Sequence, residues 1–162
     1  MKIAFYDTKP YDRTWFDAYV VEYGYEIIYI ESHLSLDTVV LAKGCDAVCV
    51  FVNDSVSKEV IDELAKLGVK VILLRCAGFN NVDFAAAFKK VHVMRVPAYS
   101  PYAVAEYAAA LLLSVNRKTH RAYSRTRDYN FSINGLQGID LHDKTAGIIG
   151  TGKIGRIMID IL

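Results

Sequence analysis

Three glycines near residue 150 have the spacing of a phosphate-binding loop, residues 150–155. They follow the apolar run "TAGII" and precede "KIGRIMIDIL", which predict a buried strand and an amphipathic helix. In this order the first glycine permits a tight turn, the second lets the backbone approach a pyrophosphate, and the third lets the helix pack on the strand. The N–H groups of the first helical turn would face the anion. The context favours a dinucleotide site over the alternative, an ordinary strand–helix turn.

A second candidate site lies in "RCAGFNN", residues 75–81, where a predicted strand ends. Ligands bind at the carboxyl ends of parallel strands, and the small residues Ala77 and Gly78 would expose N–H groups that could hold a carboxylate. The alternative is a glycine that the turn itself requires, and the local pattern favours neither. Tyr99 lies between two prolines and could direct its hydroxyl into a cleft or serve only for packing.

Around these segments, runs with the hydrophobic pattern of strands alternate with segments that have the hydrophobic pattern of helices. Five β-rich runs occur at 2–6, 25–30, 46–52, 69–74 and 91–96. The segments between them have helical spacing, most clearly Ser57–Leu67, which Gly68 would end. Asn81 is predicted to cap the helix in "VDFAAAFKK". Such repeats predict an α/β fold with a doubly wound parallel sheet of flavodoxin-like strand order.

The pattern changes after residue 99. Ser100 and Pro101 predict a helix start, and "YAVAEYAAALLLSVNR" is apolar nearly all round, which predicts a buried helix. A basic run from Arg117 to Arg127 follows, which we interpret as a solvated helix face or a subunit contact. We therefore predict two domains, residues 1–99 and residues 100–162, the second ending in the opening of a dinucleotide-binding Rossmann domain.

Composition excludes several classes of function. Nineteen basic against eighteen acidic residues give no field that would attract nucleic acid or an anionic membrane. The N-terminus lacks a signal-peptide pattern, and Ala108–Val115 is too short to span a bilayer. Three cysteines form neither a disulfide framework nor a metal-ligand spacing, so a cytoplasmic setting is expected and no metal site is predicted. We assign all four histidines to structure or solvent.

Several longer motifs occur in one order along the chain, among them "LLRCAGFNNVD", "VPAYSPYAVAE" and "DLHDKTAGIIGTGKIG". On these motifs the sequence resembles the D-isomer-specific 2-hydroxyacid dehydrogenases, and within that family the bacterial D-lactate dehydrogenase branch. The match runs through the whole chain, and several motifs in the same order are far more specific than the glycine loop alone.

The resemblance implies that residues 1–99 are the substrate, or catalytic, domain. The backbone of the "CAG" segment would hold the carboxylate of pyruvate or D-lactate, a small 2-oxo or 2-hydroxy acid. The substrate-binding residues would be Cys76, Ala77, Gly78 and Tyr99.

The resemblance also implies NAD as the cofactor, although the residues alone do not decide between NAD and NADP. The glycine loop would take the pyrophosphate, mainly through its backbone, and Val104 would lie against the nicotinamide. The cofactor-binding residues would be Val104, Gly150, Thr151, Gly152, Lys153, Ile154 and Gly155. Tyr107 departs from a histidine common in the family, from which we expect a packing difference only.

In this family an arginine binds the substrate carboxylate, and a histidine with a glutamate partner transfers the proton. None of the three maps onto a residue of this chain, and Arg75 does not correspond to that arginine. We therefore expect no catalytic residue in residues 1–162, no activity of the chain alone, and weak or absent NAD binding. The helix after Ser100 and the basic arm imply a homodimer or a swapped oligomer.

Two non-enzymatic alternatives remain open at this point. A phosphoacceptor receiver domain would use Asp7 and Asp54, but it would need a lysine where the fifth strand offers Arg95. A truncated dehydrogenase chain could instead serve as a binding or assembly module. A flavodoxin is excluded, because "DTKPYD" places acids where a flavin phosphate would have to sit.

Overall fold

The computed structural model describes residues 1–162, which divide into two compact units, Met1–Tyr99 and Ser100–Leu162. Each unit is described by itself. No helix in either unit combines the length and apolar character needed to cross a bilayer.

The first unit is built on a sheet of five parallel strands in the order β2-β1-β3-β4-β5. This is the flavodoxin-like order, and the predicted fold class is confirmed. The strands are β1 (Lys2–Phe5), β2 (Glu26–Tyr29), β3 (Ala47–Val50), β4 (Val71–Leu74) and β5 (His92–Arg95). The helices are α1 (Pro10–Tyr23), α2 (Lys58–Lys66) and α3 (Phe84–Ala87), with a 3-10 helix at Val39–Ala42.

The two faces of the sheet are covered unequally. Alternate strand residues such as Val48 and Ile72 pack beneath α2 and α3 in the larger core. The opposite face packs Phe5 and Cys49 against Phe16 of α1. Beyond α1 this second face stays partly open, so that an apolar cavity of about 510 Å³ extends as far as Met94.

Helix starts in this unit follow the capping rules, with one correction. Ser57, with which the predicted helical segment begins, caps α2 by accepting a hydrogen bond from the N–H of Val60. The prediction that Asn81 caps α3 is wrong, because the Asp83 carboxylate accepts from the Ala86 N–H at 2.9 Å. Asn81 is an amide donor here and belongs to the site described below.

The second unit consists of α4 (Pro101–Arg117), α5 (Thr119–Arg127) and α6 (Lys153–Ile161). Ser100 caps α4 as predicted. The predicted strand at "TAGII" does not form, because this unit offers no second strand to pair with it. The prediction of a buried α4 is also wrong. Only Ala105 is buried, since α6 is the one long helix that packs along it.

An ion cluster joins α2 to the segment before β5 and gives a pH-dependent prediction. Asp62 accepts hydrogen bonds from Lys58 and Lys90, and these contacts lower the pKa of its carboxyl to about 2. A lowered pKa in the folded state stabilises the fold above the unfolded value, and this contribution is lost as the pH falls from about 4 towards 2. Asp62→Asn should therefore cost stability at pH 7 and little at pH 2.

Urea unfolding of wild type and Asp62→Asn at the two pH values measures this difference. Glu63→Gln is the matched control, because Glu63 pairs only with Lys66 on its own helix. An equal effect of Asp62→Asn at both pH values would contradict the prediction. The contribution is small, because both lysine partners are exposed.

Candidate functional site

The first unit has a candidate site in the loop after β4, residues 75–81, which we call the β4 loop. The backbone carbonyls of its three small residues, Cys76, Ala77 and Gly78, each accept a hydrogen bond. The Cys76 carbonyl accepts from the Val96 N–H at 3.3 Å, and the Ala77 carbonyl accepts from Arg95 Nη1 at 2.7 Å. The Gly78 carbonyl accepts from Cys76 Sγ at 3.4 Å.

Three backbone N–H groups of the same loop, in contrast, have no acceptor. Those of Ala77, Gly78 and Phe79 donate to no other group of the chain. Successive free backbone donors can bind an anion such as a carboxylate. The β4 loop thus has its acceptors occupied and its donors available.

The conformation of the turn does not require glycine at position 78. Its φ lies outside the left-handed region, and a Cβ placed on it would meet no atom within 4 Å. The alternative reading of this glycine, as a residue that the strand-to-helix turn requires, therefore has no support in the geometry. The space beside the Gly78 Cα is open.

The β4 loop is held by two polar side chains that sequence reasoning did not assign to the site. Asn81 donates from Nδ2 to the carbonyls of Phe51 at 3.1 Å and Asp54 at 2.9 Å. The Asp54 carboxylate accepts from the N–H groups of Leu34 at 2.6 Å and Phe51 at 2.5 Å. Three loops, those after β2, β3 and β4, are therefore joined through one amide and one carboxylate.

Asp54 is buried, with only 1% of its surface exposed, and this burial affects the pKa of its carboxyl. Removal from water raises the pKa of its carboxyl, and the hydrogen bonds from Phe51 and Leu34 work in the opposite direction. Both oxygens are committed to backbone donors. This side chain is not available to a phosphate donor, which counts against the receiver-domain alternative.

Arg75 points into the fold. Its guanidinium lies over the rings of Phe5 and Phe51, and Nη2 donates to the Asp7 carbonyl at 2.8 Å. The side chain is only 13% exposed. Arg75 therefore supports the loop after β1. Burial raises the pKa of the nearby Cys49 thiol to about 12, so this cysteine stays protonated and is no nucleophile at neutral pH.

His33 lies beside two acids of other loops. His33 Nδ1 is 3.5 Å from Asp7 Oδ1 and 3.7 Å from Asp54 Oδ1. The two acids come from different loops, so no local spacing could reveal them.

Tyr99, the fourth predicted substrate residue, is 62% exposed, and its hydroxyl makes no hydrogen bond within the chain.

The Ser100–Leu162 unit has a separate candidate site in its glycine loop, where the three glycines have three different surroundings. Gly150 has φ +94°, a left-handed conformation that favours glycine. Gly152 has ordinary dihedrals, and a Cβ on it would meet nothing within 4 Å. A Cβ on Gly155 would lie 2.1 Å from the Gly150 carbonyl oxygen. The first two are the tight turn and the open approach that the spacing predicts. At the third the close neighbour is the loop's own Gly150 carbonyl, because the strand on which α6 was predicted to pack does not form.

The glycine loop borders a groove of about 510 Å³. Val104 of α4 lines this groove together with five of the six loop positions. Thr151 is the exception, and its carbonyl instead accepts from Arg156 Nε at 3.2 Å. The loop positions that line the groove are Gly150, Gly152, Lys153, Ile154 and Gly155.

The loop fits a pyrophosphate on chemical grounds. The N–H groups before Arg156 in the first turn of α6 find no acceptor in the chain, and the helix dipole adds partial positive charge there. No three His, Cys, Asp or Glu side chains are grouped to hold a metal ion in either unit.

Comparison with known proteins assigns the chain to a family. The family model described as D-isomer specific 2-hydroxyacid dehydrogenase, catalytic domain, matches residues 3–140, and the chain belongs to this family. It is 52% identical to D-lactate dehydrogenase of Escherichia coli, over 100% of this chain and 50% of that protein. It is 50% identical to a 2-hydroxyacid dehydrogenase homolog of Haemophilus influenzae, over 100% of this chain and 49% of the relative.

Solved structures agree with this assignment. The apo structure of Escherichia coli D-lactate dehydrogenase superposes with a TM-score of 0.90, covering 99% of this chain and 51% of that one. The NAD-complexed form of a D-isomer specific 2-hydroxyacid dehydrogenase from Lactobacillus delbrueckii is 32% identical, with a TM-score of 0.72 and coverage of 99% and 50%. The chain spans about half the length of the relatives that it matches.

Proposed function

We propose that residues 1–162 supply the carboxylate-binding unit and the opening of the nucleotide-binding unit of an NAD-dependent D-2-hydroxyacid dehydrogenase. Its substrates would be pyruvate-like 2-oxo acids and the corresponding D-2-hydroxy acids. The observation that carries the proposal is the β4 loop, in which the carbonyls are occupied and the N–H groups of Ala77, Gly78 and Phe79 are free.

The residues of this chain bind and orient; they do not transfer the proton. The N–H groups of the β4 loop would fix one end of the 2-oxo acid, and fixing a reactant in this way removes part of the entropic barrier. The glycine loop would hold the pyrophosphate of NADH, whose nicotinamide supplies the hydride when it is bound. Val104 would contact the nicotinamide from the groove that the glycine loop borders.

The chain alone should not turn over. A general acid must reach the substrate carbonyl, and His33 instead faces Asp7 and Asp54, of which Asp54 binds two backbone N–H groups. Arg75 is turned inward. The arginine, glutamate and histidine of the family would have to come from the half of the relatives that this chain does not span. Steady oxidation of NADH by pyruvate with the pure chain would contradict this expectation.

A second candidate, a binding or assembly module, is favoured by the surface of the Ser100–Leu162 unit. Large apolar side chains there are mostly exposed, among them Tyr129, Ile133 and Ile149. Apolar side chains exposed in such number mark interaction surfaces, so a second copy of the chain would be the expected partner. Under this reading the chain forms a homodimer or a swapped oligomer and binds no 2-oxo acid.

Gly78→Ala tests the proposed function, because it should separate binding from folding. The new methyl group would occupy the open space beside the Gly78 Cα, next to the free N–H groups. We expect pyruvate to move the amide resonances of residues 76–79 in the wild-type chain, and the variant to bind pyruvate at least about tenfold more weakly. The free energy of unfolding should change by less than about 1 kcal/mol, because the backbone dihedrals accept alanine.

Gly147→Ala is the matched control, since this glycine also has open space for a Cβ and ordinary dihedrals. It should leave pyruvate binding unchanged. Acetate has a carboxylate but no 2-oxo group. Comparing its affinity with that of pyruvate shows whether the site recognises the 2-oxo group as well as the charge. Pyruvate titration that leaves residues 76–79 unmoved would count against the dehydrogenase proposal and favour the assembly module.

A further inference from the structure

Arg95 stands at the point where the β4 loop meets the neighbouring strand. It is the last residue of β5, directly opposite Leu74, the last residue of β4. Its side chain follows the same face of the sheet as Val93, so it leaves the sheet beside the start of the β4 loop. The Ala77 carbonyl and the Phe79 ring are its two partners, and neither neutralises the guanidinium charge.

The hydrogen bond to Ala77 determines the direction of a donor. The peptide between Ala77 and Gly78 is planar, and the chain contains no cis peptide. In a trans peptide the C=O and the N–H point in opposite directions. Because Arg95 Nη1 holds the Ala77 oxygen at 2.7 Å, the Gly78 N–H points away from Arg95.

The second contact holds the other end of the same segment. The guanidinium of Arg95 lies 5.0 Å from the centroid of the Phe79 ring. That ring also packs edge-on against Phe84, the first residue of α3, at a centroid distance of 5.6 Å. The segment Ala77–Phe79 is therefore fixed at its first carbonyl and at its last side chain by one residue.

The charge of Arg95 adds to the geometry. A hydrogen bond from an ionised donor is stronger than one between neutral groups, and it polarises the peptide that accepts it. The polarised Ala77–Gly78 peptide presents a more positive N–H on its far side. An anion bound to this N–H would be stabilised by the charge of Arg95 without contacting Arg95.

We propose that Arg95 is a positioning residue for the substrate carboxylate, and that it acts through the Ala77–Gly78 peptide without contacting the substrate. This inference rests on the proposed function of the β4 loop. Direct contact between Arg95 and the carboxylate is the rival explanation, and the two explanations predict different rescue by conservative variants.

The test compares Arg95→Met, Arg95→Gln and Arg95→Lys in the full 162-residue chain. Gln keeps a neutral donor that can reach the Ala77 carbonyl, whereas Lys keeps the charge without the planar fork. We expect Met to weaken pyruvate binding about tenfold and Gln to recover at least half of that loss on a logarithmic scale. The Gly78 amide resonance of the ligand-free protein should shift in the Met variant and return towards its wild-type position in the Gln variant.

Arg13→Met is the matched control, because Arg13 also lies over an aromatic ring, 4.3 Å from the Tyr29 centroid, in the same unit. It should change neither pyruvate binding nor the Gly78 resonance. Recovery by Lys and none by Gln would overturn the proposal in favour of direct contact. Wild-type binding with an unaffected Met variant would overturn this inference alone, whereas a wild-type chain that binds no pyruvate would remove the proposed function as well.

Discussion

Asp54→Ala should lower the free energy of unfolding of the Met1–Tyr99 unit by about 3 kcal/mol, because it leaves two buried backbone N–H groups without an acceptor. The carboxylate accepts from Leu34 and Phe51, and the Asp54 carbonyl accepts from Asn81. Alanine keeps the backbone contact to Asn81 and removes the other two. The loops after β2 and β3 would then lose the carboxylate that binds an N–H group of each.

Urea unfolding followed on the amide resonances of β3 measures this loss. Asp46→Ala is the matched control, since the Asp46 carboxylate accepts a single exposed N–H, that of Lys2, at 2.7 Å. It should cost less than about 1 kcal/mol. Equal losses in the two variants would show that Asp54 does not join the loops as described. Asp54→Asn should fall between them, because its amide keeps one acceptor and turns a donor towards a backbone N–H.

Gly155→Ala should destabilise the Ser100–Leu162 unit by about 3 kcal/mol, through overpacking of the glycine loop against α6. The added methyl carbon would lie 2.1 Å from the Gly150 carbonyl oxygen and 3.1 Å from its carbonyl carbon. Both are backbone atoms of a residue at φ +94°, so no flexible side chain can move aside. The loss should appear even though alanine favours helix over glycine by about 1 kcal/mol.

Gly152→Ala is the paired variant, because its Cβ would meet no atom of the chain. Hydrogen exchange of the α6 amides should accelerate in Gly155→Ala and stay as in wild type for Gly152→Ala. NADH binding, where the wild-type chain shows it, should fall in both variants. Normal exchange in Gly155→Ala would mean that the loop can move away from α6 without cost, against the packing role of this glycine.

The parts of the structure that the sequence predicted correctly depend on local signals. The strands of the first unit are short apolar runs, and their order follows from right-handed crossovers between parallel strands. The Ser100 cap is set by a hydroxyl that accepts from a backbone N–H only three residues further along the chain. Membership of the dehydrogenase family was predicted from long motifs in order, and the family comparison confirms it.

The parts that could not be predicted depend on contacts between distant segments. Asn81 was taken for a cap because asparagine is a good one, and only the fold brings the carbonyls of Phe51 and Asp54 within its reach. The pairing of His33 with two acids has the same origin. The missing strand at "TAGII" shows the converse, since β propensity forms a strand only where a partner exists.

The strand order β2-β1-β3-β4-β5 also bears on how the first unit is made. Every strand after the first pairs with one that precedes it in the chain, always at an open edge of the growing sheet. A ribosome that adds about 5–20 residues per second would therefore release each strand when its neighbour is already available. No later strand has to insert between two that are already paired. Nascent chains could thus assemble the sheet in the order of synthesis, and it would be complete once Arg95 has left the exit tunnel.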